Sequence, residues 1–233
     1  MRAPVAIVIP TLNAAPALAR LLPDLFEGLE AGLVRVLILS DGGSRDDIAA
    51  LADQLGAQLI TGPAGRGGQL ARGAAATDAP WLMFLHADSQ LPQGWAGLVR
   101  AHIAASGGPV AFGLRFDTGG MAARITAGWA NLRSRWFGLA YGDQGLLIAR
   151  ADYARAGGYS DIPLMEDVAL ARALVREGRK ITLLPAAITT SAERYRAQGW
   201  LRRGAANLWL LLRYLMGADP RALAARYDSR SEN

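Results

Sequence analysis

The chain has 233 residues, 52% of them hydrophobic and 19% charged, which excludes a disordered chain and fits one large domain with a sizeable core. It contains no cysteine, so a disulfide framework and a thiolate metal site are excluded. The net charge of +5 resides in residues 194–233, where eight arginines face only Asp219, Asp228 and Glu232, while residues 1–193 balance 17 basic against 17 acidic groups.

That placement argues against nucleic acid as a partner, because the arginines are not interleaved with aromatics in a recognisable module and the body of the chain has no positive excess. A surface facing acidic lipid, or a phosphorylated ligand, suits it better. Met1-Arg2-Ala3-Pro4 runs into an apolar stretch without a signal peptide, so the cytoplasm is the expected compartment.

In chain order, Val5-Ala6-Ile7-Val8-Ile9 reads as a buried strand that breaks at Pro10 and leads into Thr11-Leu12-Asn13. Leu18, Leu21, Leu22, Leu25, Phe26 and Leu29 then recur at helical spacing, with Pro23 expected to kink or restart the helix. Val34 to Leu39 is a second strand ending in Ser40-Asp41-Gly42-Gly43-Ser44, and Ser44 is placed to cap a helix whose apolar face is Ile48, Leu51 and Leu55. Asp46 and Asp47 suit a helix N-terminus. Ala57 to Ile60 gives a third strand, Gly62 to Gly68 a flexible loop in which Arg66 can reach a phosphate, and Leu70 to Ala76 a short helix.

Trp81-Leu82-Met83-Phe84-Leu85 organises the rest. Five apolar residues between Asp78-Ala79-Pro80 and Leu91-Pro92 read as a strand buried on both faces, as at the centre of a parallel sheet. It leads into His86-Ala87-Asp88, and a carboxylate just past a central strand lies where open α/β sheets bind ligands; there it suits Mg2+ or Mn2+ bridging a diphosphate. Asp41 and Asp88 thus end two strands read as neighbours. The alternation of strands and helices is the signature of an α/β fold with a mostly parallel sheet. A dehydrogenase would place its glycines directly after the first strand, where this chain has Pro10-Thr11-Leu12-Asn13, and the Gly62–Gly68 run lacks the ending of a Walker loop.

Further on, Trp95, Leu98, Val99 and Ile103 mark a helix, Val110 to Phe116 a strand, and Met121 to Trp136 another helix. Tyr141-Gly142-Asp143-Gln144-Gly145 precedes a short strand, Leu146 to Ala149. Gly157-Gly158-Tyr159 leads to Leu164-Met165-Glu166-Asp167, which opens a helix with Val168, Leu170, Ala171, Leu174 and Val175 on its apolar face. Acids in a first turn complement the helix dipole, but two adjacent carboxylates after a glycine-rich loop also make a candidate catalytic acid or base.

Five motifs, Ile7-Val8-Ile9-Pro10-Thr11-Leu12-Asn13, Leu39-Ser40-Asp41-Gly42-Gly43-Ser44-Arg45-Asp46, Phe84-Leu85-His86-Ala87-Asp88, Gly142-Asp143-Gln144-Gly145 and Met165-Glu166-Asp167, resemble in type and order those of family-2 inverting glycosyltransferases with the GT-A fold. The likeness runs from about residue 5 to about residue 200 and is nearest to small bacterial members, some named for arsenosugar biosynthesis. The resemblance implies a single GT-A-type domain over residues 1–193 and a basic amphipathic helical segment over 194–233 packed on it.

It also implies a nucleotide-sugar donor, a uridine diphosphate sugar above all, with Mn2+ or Mg2+ as cofactor. Pro10, Thr11 and Asn13 would line the nucleotide pocket, and Asp41 would accept a hydrogen bond from the base; Arg66, read from the glycine run, joins them as a phosphate contact. Asp88 would hold the metal, Asp167 would be the general base with Glu166 beside it, and Asp143 and Gln144 would face the acceptor, a small molecule or lipid. Arg194 or Arg196 would meet the diphosphate. Two departures stand out: His86 replaces the first acid of Asp-x-Asp, and Ala14 replaces a frequent Glu. The first keeps open a non-catalytic nucleotide-sugar-binding or membrane-associated module; His86 is read as a hydrogen-bonded structural residue before a metal ligand.

The segment Ala197 to Met216, flanked by Arg194-Tyr195-Arg196 and Trp200-Leu201-Arg202-Arg203, is too short and charged to span a bilayer. It suits either peripheral contact at the inner face of a membrane or a helix that covers the sheet or an oligomer contact.

Overall fold

The computed structural model describes residues 3–228; Met1, Arg2 and residues 229–233, with Arg230 and Glu232 of the basic segment, lie outside the described residues. The apolar runs fall on the strands of one sheet. The first half of the chain supplies β1 (Val5–Thr11), β2 (Val34–Asp41), β3 (Gln58–Thr61) and β4 (Trp81–Phe84), with α1 (Ala15–Glu30), α2 (Ile48–Gln54) and α3 (Arg66–Ala75) between them. Next come α4 (Trp95–Ala104), β5 (Val110–Phe116), α5 (Met121–Phe137), β6 (Leu146–Ala149) and α6 (Arg150–Arg155). The chain continues through α7 (Glu166–Arg176), β7 (Thr182–Thr190), α8 (Glu193–Gln198), α9 (Trp200–Leu215) and α10 (Pro220–Asp228).

The strand order is β3-β2-β1-β4-β6-β5-β7, so the Trp81 strand is the central one of seven. The β1–β2, β1–β4, β2–β3 and β5–β7 pairs are parallel, whereas β6 runs antiparallel to both β4 and β5. Six strands therefore share one direction and β6 alone is reversed. Asp41 and Asp88 do not follow neighbouring strands, since β1 lies between β2 and β4.

Side chains alternate across the sheet and feed two cores. Ile7, Ile9 and Met83 pack with Leu18, Leu21 and Trp95 on one face, while Val8, Ile38, Leu82 and Phe84 pack with Tyr153, Val168 and Leu174 on the other. Trp95 is fully buried and donates its indole N–H to the carbonyl of Asp24 at 2.8 Å; truncating it to Ala would cost about 3–5 kcal/mol.

Several expectations change at the helix starts. Helix α1 is continuous through Pro23, with Leu18, Leu21 and Leu25 buried along one face. Ser44 does not cap α2, whose N-terminus has no side-chain cap, and Asp46 instead accepts the Ala15 N–H of α1 at 2.7 Å. The expected loop Gly62–Gly68 ends at Gly65, and α3 begins at Arg66. Glycines begin this helix because the 158–162 loop crosses it closely: a Cβ on Gly67 would lie 2.1 Å from the Ser160 carbonyl, and one on Gly68 2.6 Å from Asp161 Oδ1. Strand β7 and helix α6 were not expected from the sequence. Helix α9 packs beside α5 and sets Leu210 and Leu211 in the interior. Among the described residues no helix is long and apolar enough to cross a membrane.

Candidate active site

A cleft of about 720 Å³ opens along the carboxyl ends of β1, β5 and β7 and beside the loop after β4. This volume is within the range of small-ligand sites. Because β6 is reversed, the turn that precedes it, Gly142–Gln144, arrives at this same edge and forms part of the wall. Pro10, Thr11, Asn13 and Arg66 line the cleft from the first half of the chain, and Asp88, Asp143, Asp167 and Arg194 complete the predicted residues found there. Asp41, Gln144, Glu166 and Arg196 are not among the lining residues.

The first half of the wall is held by a saturated network. Thr11 pairs in register with Asp41 across β1 and β2, and its hydroxyl donates to Asp41 Oδ1 at 2.9 Å. Ser44 Oγ donates to the same oxygen, and the N–H groups of Gly43 and Ser44 both donate to Oδ2 at 2.8 Å. Those four bonds fill the acceptor capacity of a carboxylate. Burial alone would raise the Asp41 pKa, but the bonds from Ser44, Gly43 and Thr11 outweigh it and hold the pKa below the usual value. Asp41 thus shapes the Thr11 and Gly43-Ser44 segments. Asn13, in the left-handed region at φ 50°, accepts the Arg45 N–H at 2.9 Å and donates its own N–H to Ser44 Oγ at 2.8 Å.

Gln69 was not singled out in the sequence. Its Nε2 donates to the carbonyls of Thr11 at 2.8 Å and Ser40 at 2.7 Å, clamping the ends of β1 and β2 to α3, and its side chain also lines the cleft. Only its place beside the glycine run could have marked it.

The opposite wall holds carboxylates with unused acceptors. Asp167, in the first turn of α7, accepts the Gly142 N–H through Oδ2 at 2.9 Å, while Oδ1 is buried without a hydrogen-bond partner. Asp143 Oδ1 is likewise buried and unpartnered. Burial pushes the Asp143 pKa up to about 6 against the opposing charge of Arg133, and the Asp167 carboxylate adds to the rise. Glu166 is fully buried and pairs through Oε1 with Arg66 Nε. Burial and the neighbouring Asp167 push Glu166 up, with Arg66 opposing. Burial works against the Arg66 charge too, yet Asp167 and Glu166 hold it more firmly protonated than an ordinary arginine.

Two expectations need correction on this wall. Gln144 faces inward: it is fully buried, its Oε1 accepts the Ser134 hydroxyl at 2.8 Å and its Nε2 donates to the Phe112 carbonyl at 3.1 Å, so it anchors the turn and does not meet an acceptor. Arg196 sits 3.6 Å from Asp117, leaving Arg194 as the predicted arginine in the cleft. Tyr141, not anticipated, lines the wall with its ring 3.4 Å from the Arg133 guanidinium carbon.

A divalent metal is implied by the resemblance, and the donor set fits it in a restricted way. Among the described residues no group of three or more His, Asp or Glu is arranged to hold an ion. The buried Nε2 of His86 has no hydrogen-bond partner and lies against Gly142, where a Cβ would come within 2.5 Å of it. Burial, followed by the charges of Arg66 and Arg194, lowers its pKa to about 3, so the imidazole is neutral. Of positions 86 and 88, Asp88, exposed and lining the cleft, is the one that offers a carboxylate. One carboxylate is compatible with Mg2+ or Mn2+ bound mainly by waters and by a ligand's own phosphates.

This α/β architecture, with its cleft at the carboxyl edge of a mostly parallel sheet, is that of GT-A proteins. The sequence profile described as glycosyl transferase family 2 matches residues 6–154, and the chain belongs to that family. Among solved structures it is similar to the mannosyltransferase PcManGT of Pyrobaculum calidifontis in complex with GDP-Man and Mn2+, at 16% identity and a TM-score of 0.64, covering 89% of this chain and 65% of that one. It is similar to S. aureus TarS 1-349 in complex with UDP-GlcNAc, at 13% identity and a TM-score of 0.60, covering 80% and 58%. Glucosyl-3-phosphoglycerate synthase of Mycobacterium tuberculosis, in complex with Mn2+, UDP and phosphoglyceric acid, gives 22% identity and a TM-score of 0.54 over 82% and 69%. The chain thus spans less than two thirds of the length of the first two. No curated protein matches it in sequence.

Proposed function

We propose that the chain transfers a sugar, with inversion, from a nucleoside-diphosphate donor to an acceptor hydroxyl. The observation that carries this reading is Asp167: one oxygen is fixed by the Gly142 N–H and the other is left without a partner at the wall of the cleft. A carboxylate held this way is oriented to take a proton, and proton removal from the acceptor is what a single in-line displacement at an anomeric carbon requires.

Within this reading Thr11 and Asn13 border the nucleotide, and Arg194 and Arg66 supply positive charge for the diphosphate. Arg66 also fixes Glu166 behind Asp167, so Glu166 acts by positioning. Asp88 would hold Mn2+ or Mg2+, which on binding neutralises charge developing on the leaving diphosphate. Uridine diphosphate sugars are the proposed donors, in line with the UDP complexes of two of the structures of the same fold. The acceptor is a small molecule or a lipid, and a lipid acceptor requires the chain to work at a membrane surface.

His86, in place of a first metal-binding acid, favours a second reading as a nucleotide-sugar-binding module without turnover. Donor-hydrolysis and transfer assays over a panel of nucleotide sugars, with Mn2+ and Mg2+, separate the two. Turnover lost in Asp167→Asn supports the transferase; tight donor binding with no turnover under any condition supports the module.

A further inference from the structure

We infer that the outer faces of α5 and α9 form one surface that docks on an anionic lipid bilayer. On α5, Met121, Ile125, Trp129 and Trp136 recur at helical spacing and are all exposed, Met121 by 72% and Trp136 by 65%. On α9, Leu201, Leu208, Leu212 and Leu215 do the same, Leu201 by 90%. The inner faces are already committed, with Ala123, Ala127 and Ala130 of α5 and Leu210 and Leu211 of α9 buried. The two helices pack beside each other. Exposed apolar area on this scale marks an interaction site.

Charge decides the occupant. Neither helix contains an acidic residue, and Arg124, Arg135, Arg202 and Arg213 are exposed along them. Apolar residues with tryptophan, edged by arginine and without acids, match a helix face lying in the interface of an anionic membrane. A second copy of the chain suits the surface poorly, because an isologous contact would set arginines against arginines with no carboxylate between them. The surface is separate from the cleft, and its test needs no sugar donor.

The test uses the full chain with vesicles of phosphatidylcholine alone or mixed in equal parts with phosphatidylglycerol, read by co-sedimentation and tryptophan fluorescence. Binding to the anionic vesicles should be roughly tenfold tighter than to neutral ones and should weaken as salt rises. Trp129→Ala with Trp136→Ala, and Arg124→Glu with Arg202→Glu, should each remove most of it with the thermal midpoint unchanged, whereas Arg176→Glu on α7 should not. Equal uptake by both vesicle types, or retention of binding in both double variants, overturns the proposal. So does a concentration-dependent dimer that Trp129→Ala with Trp136→Ala dissolves while wild type ignores vesicles.

Discussion

The two walls of the cleft are both polar, and they treat their carboxylates in opposite ways. Around β1, β2 and α3 every acceptor position of Asp41 is filled from within the chain, which makes that wall rigid before any ligand arrives. Around the Gly142–Gln144 turn and α7, Asp143, Glu166 and Asp167 each keep a buried oxygen without a partner. An unmade hydrogen bond at a buried carboxylate costs stability; Ser40 Oγ, Asp46 Oδ1 and Arg72 Nε are also buried without a partner, so what sets the α7 wall apart is that three such carboxylates lie together there.

The largest effect that would break this contrast is on turnover. Asp167→Asn should lower it by about 10² to 10⁴-fold, the usual worth of a general base, with UDP binding nearly unchanged. Full activity in that variant would place the chemistry elsewhere. On the other wall the loss should be of stability. Asp41→Ala strands the hydroxyls of Thr11 and Ser44 and two backbone N–H groups, and should cost about 2–4 kcal/mol, lowering the melting temperature by several degrees. If it melts like the wild type, the saturated network is not what holds that wall.

Asp88→Ala should remove the difference in UDP affinity between Mn2+ and a chelator, on the order of tenfold or about 1.4 kcal/mol by calorimetry. Equal affinity with and without metal in the wild type would end the metal role. The smallest effect is a pH dependence. The Asp143 pKa is raised in the fold to about 6, so the folded state binds its proton more tightly than the unfolded chain does. Its contribution is present below the unfolded pKa near 4 and is lost as pH rises towards and through 6. Asp143→Asn should therefore be more stable than the wild type at pH 7.5 and closer to it at pH 4 in denaturant titrations; an unchanged gap between the two pH values would refute the shift.

The saturated wall was the more legible one in the sequence. The strands β1, β2 and β4 are continuous apolar runs ending in polar turns, and the acids after them mark a ligand edge. Which of those acids is free was not legible: Asp41 and Asp88 look alike along the chain, and only the Thr11 pairing and the Gly43-Ser44 turn consume the first. Arg66 was read into a loop because glycines weaken a helix on propensity, whereas Gly67 and Gly68 are there for the close passage of the 158–162 loop. The reversal of β6 had no signal in four apolar residues, since strand direction is set by what lies on either side. Gln144 reads as a residue facing the acceptor until Ser134 and Phe112, 10 and 32 residues away, are brought to it.

The reversed β6 also bears on how the molecule assembles. Strands β1 to β4 pair among themselves within residues 5–84, and β5 pairs with β7 within residues 110–190. The two groups are joined by β6, which bonds to β4 on one side and β5 on the other, and by a bridge between Gln90, after β4, and Thr189 of β7. Pairings between segments distant in sequence form slowly, so the seating of Leu146–Ala149 is the expected late step of folding. Asp88 belongs to the first group, while Asp143 and Asp167 come with the second. The cleft is therefore absent from either half alone and comes into being when the two are joined, which makes recovery of the proposed nucleotide binding during refolding a clock for that event.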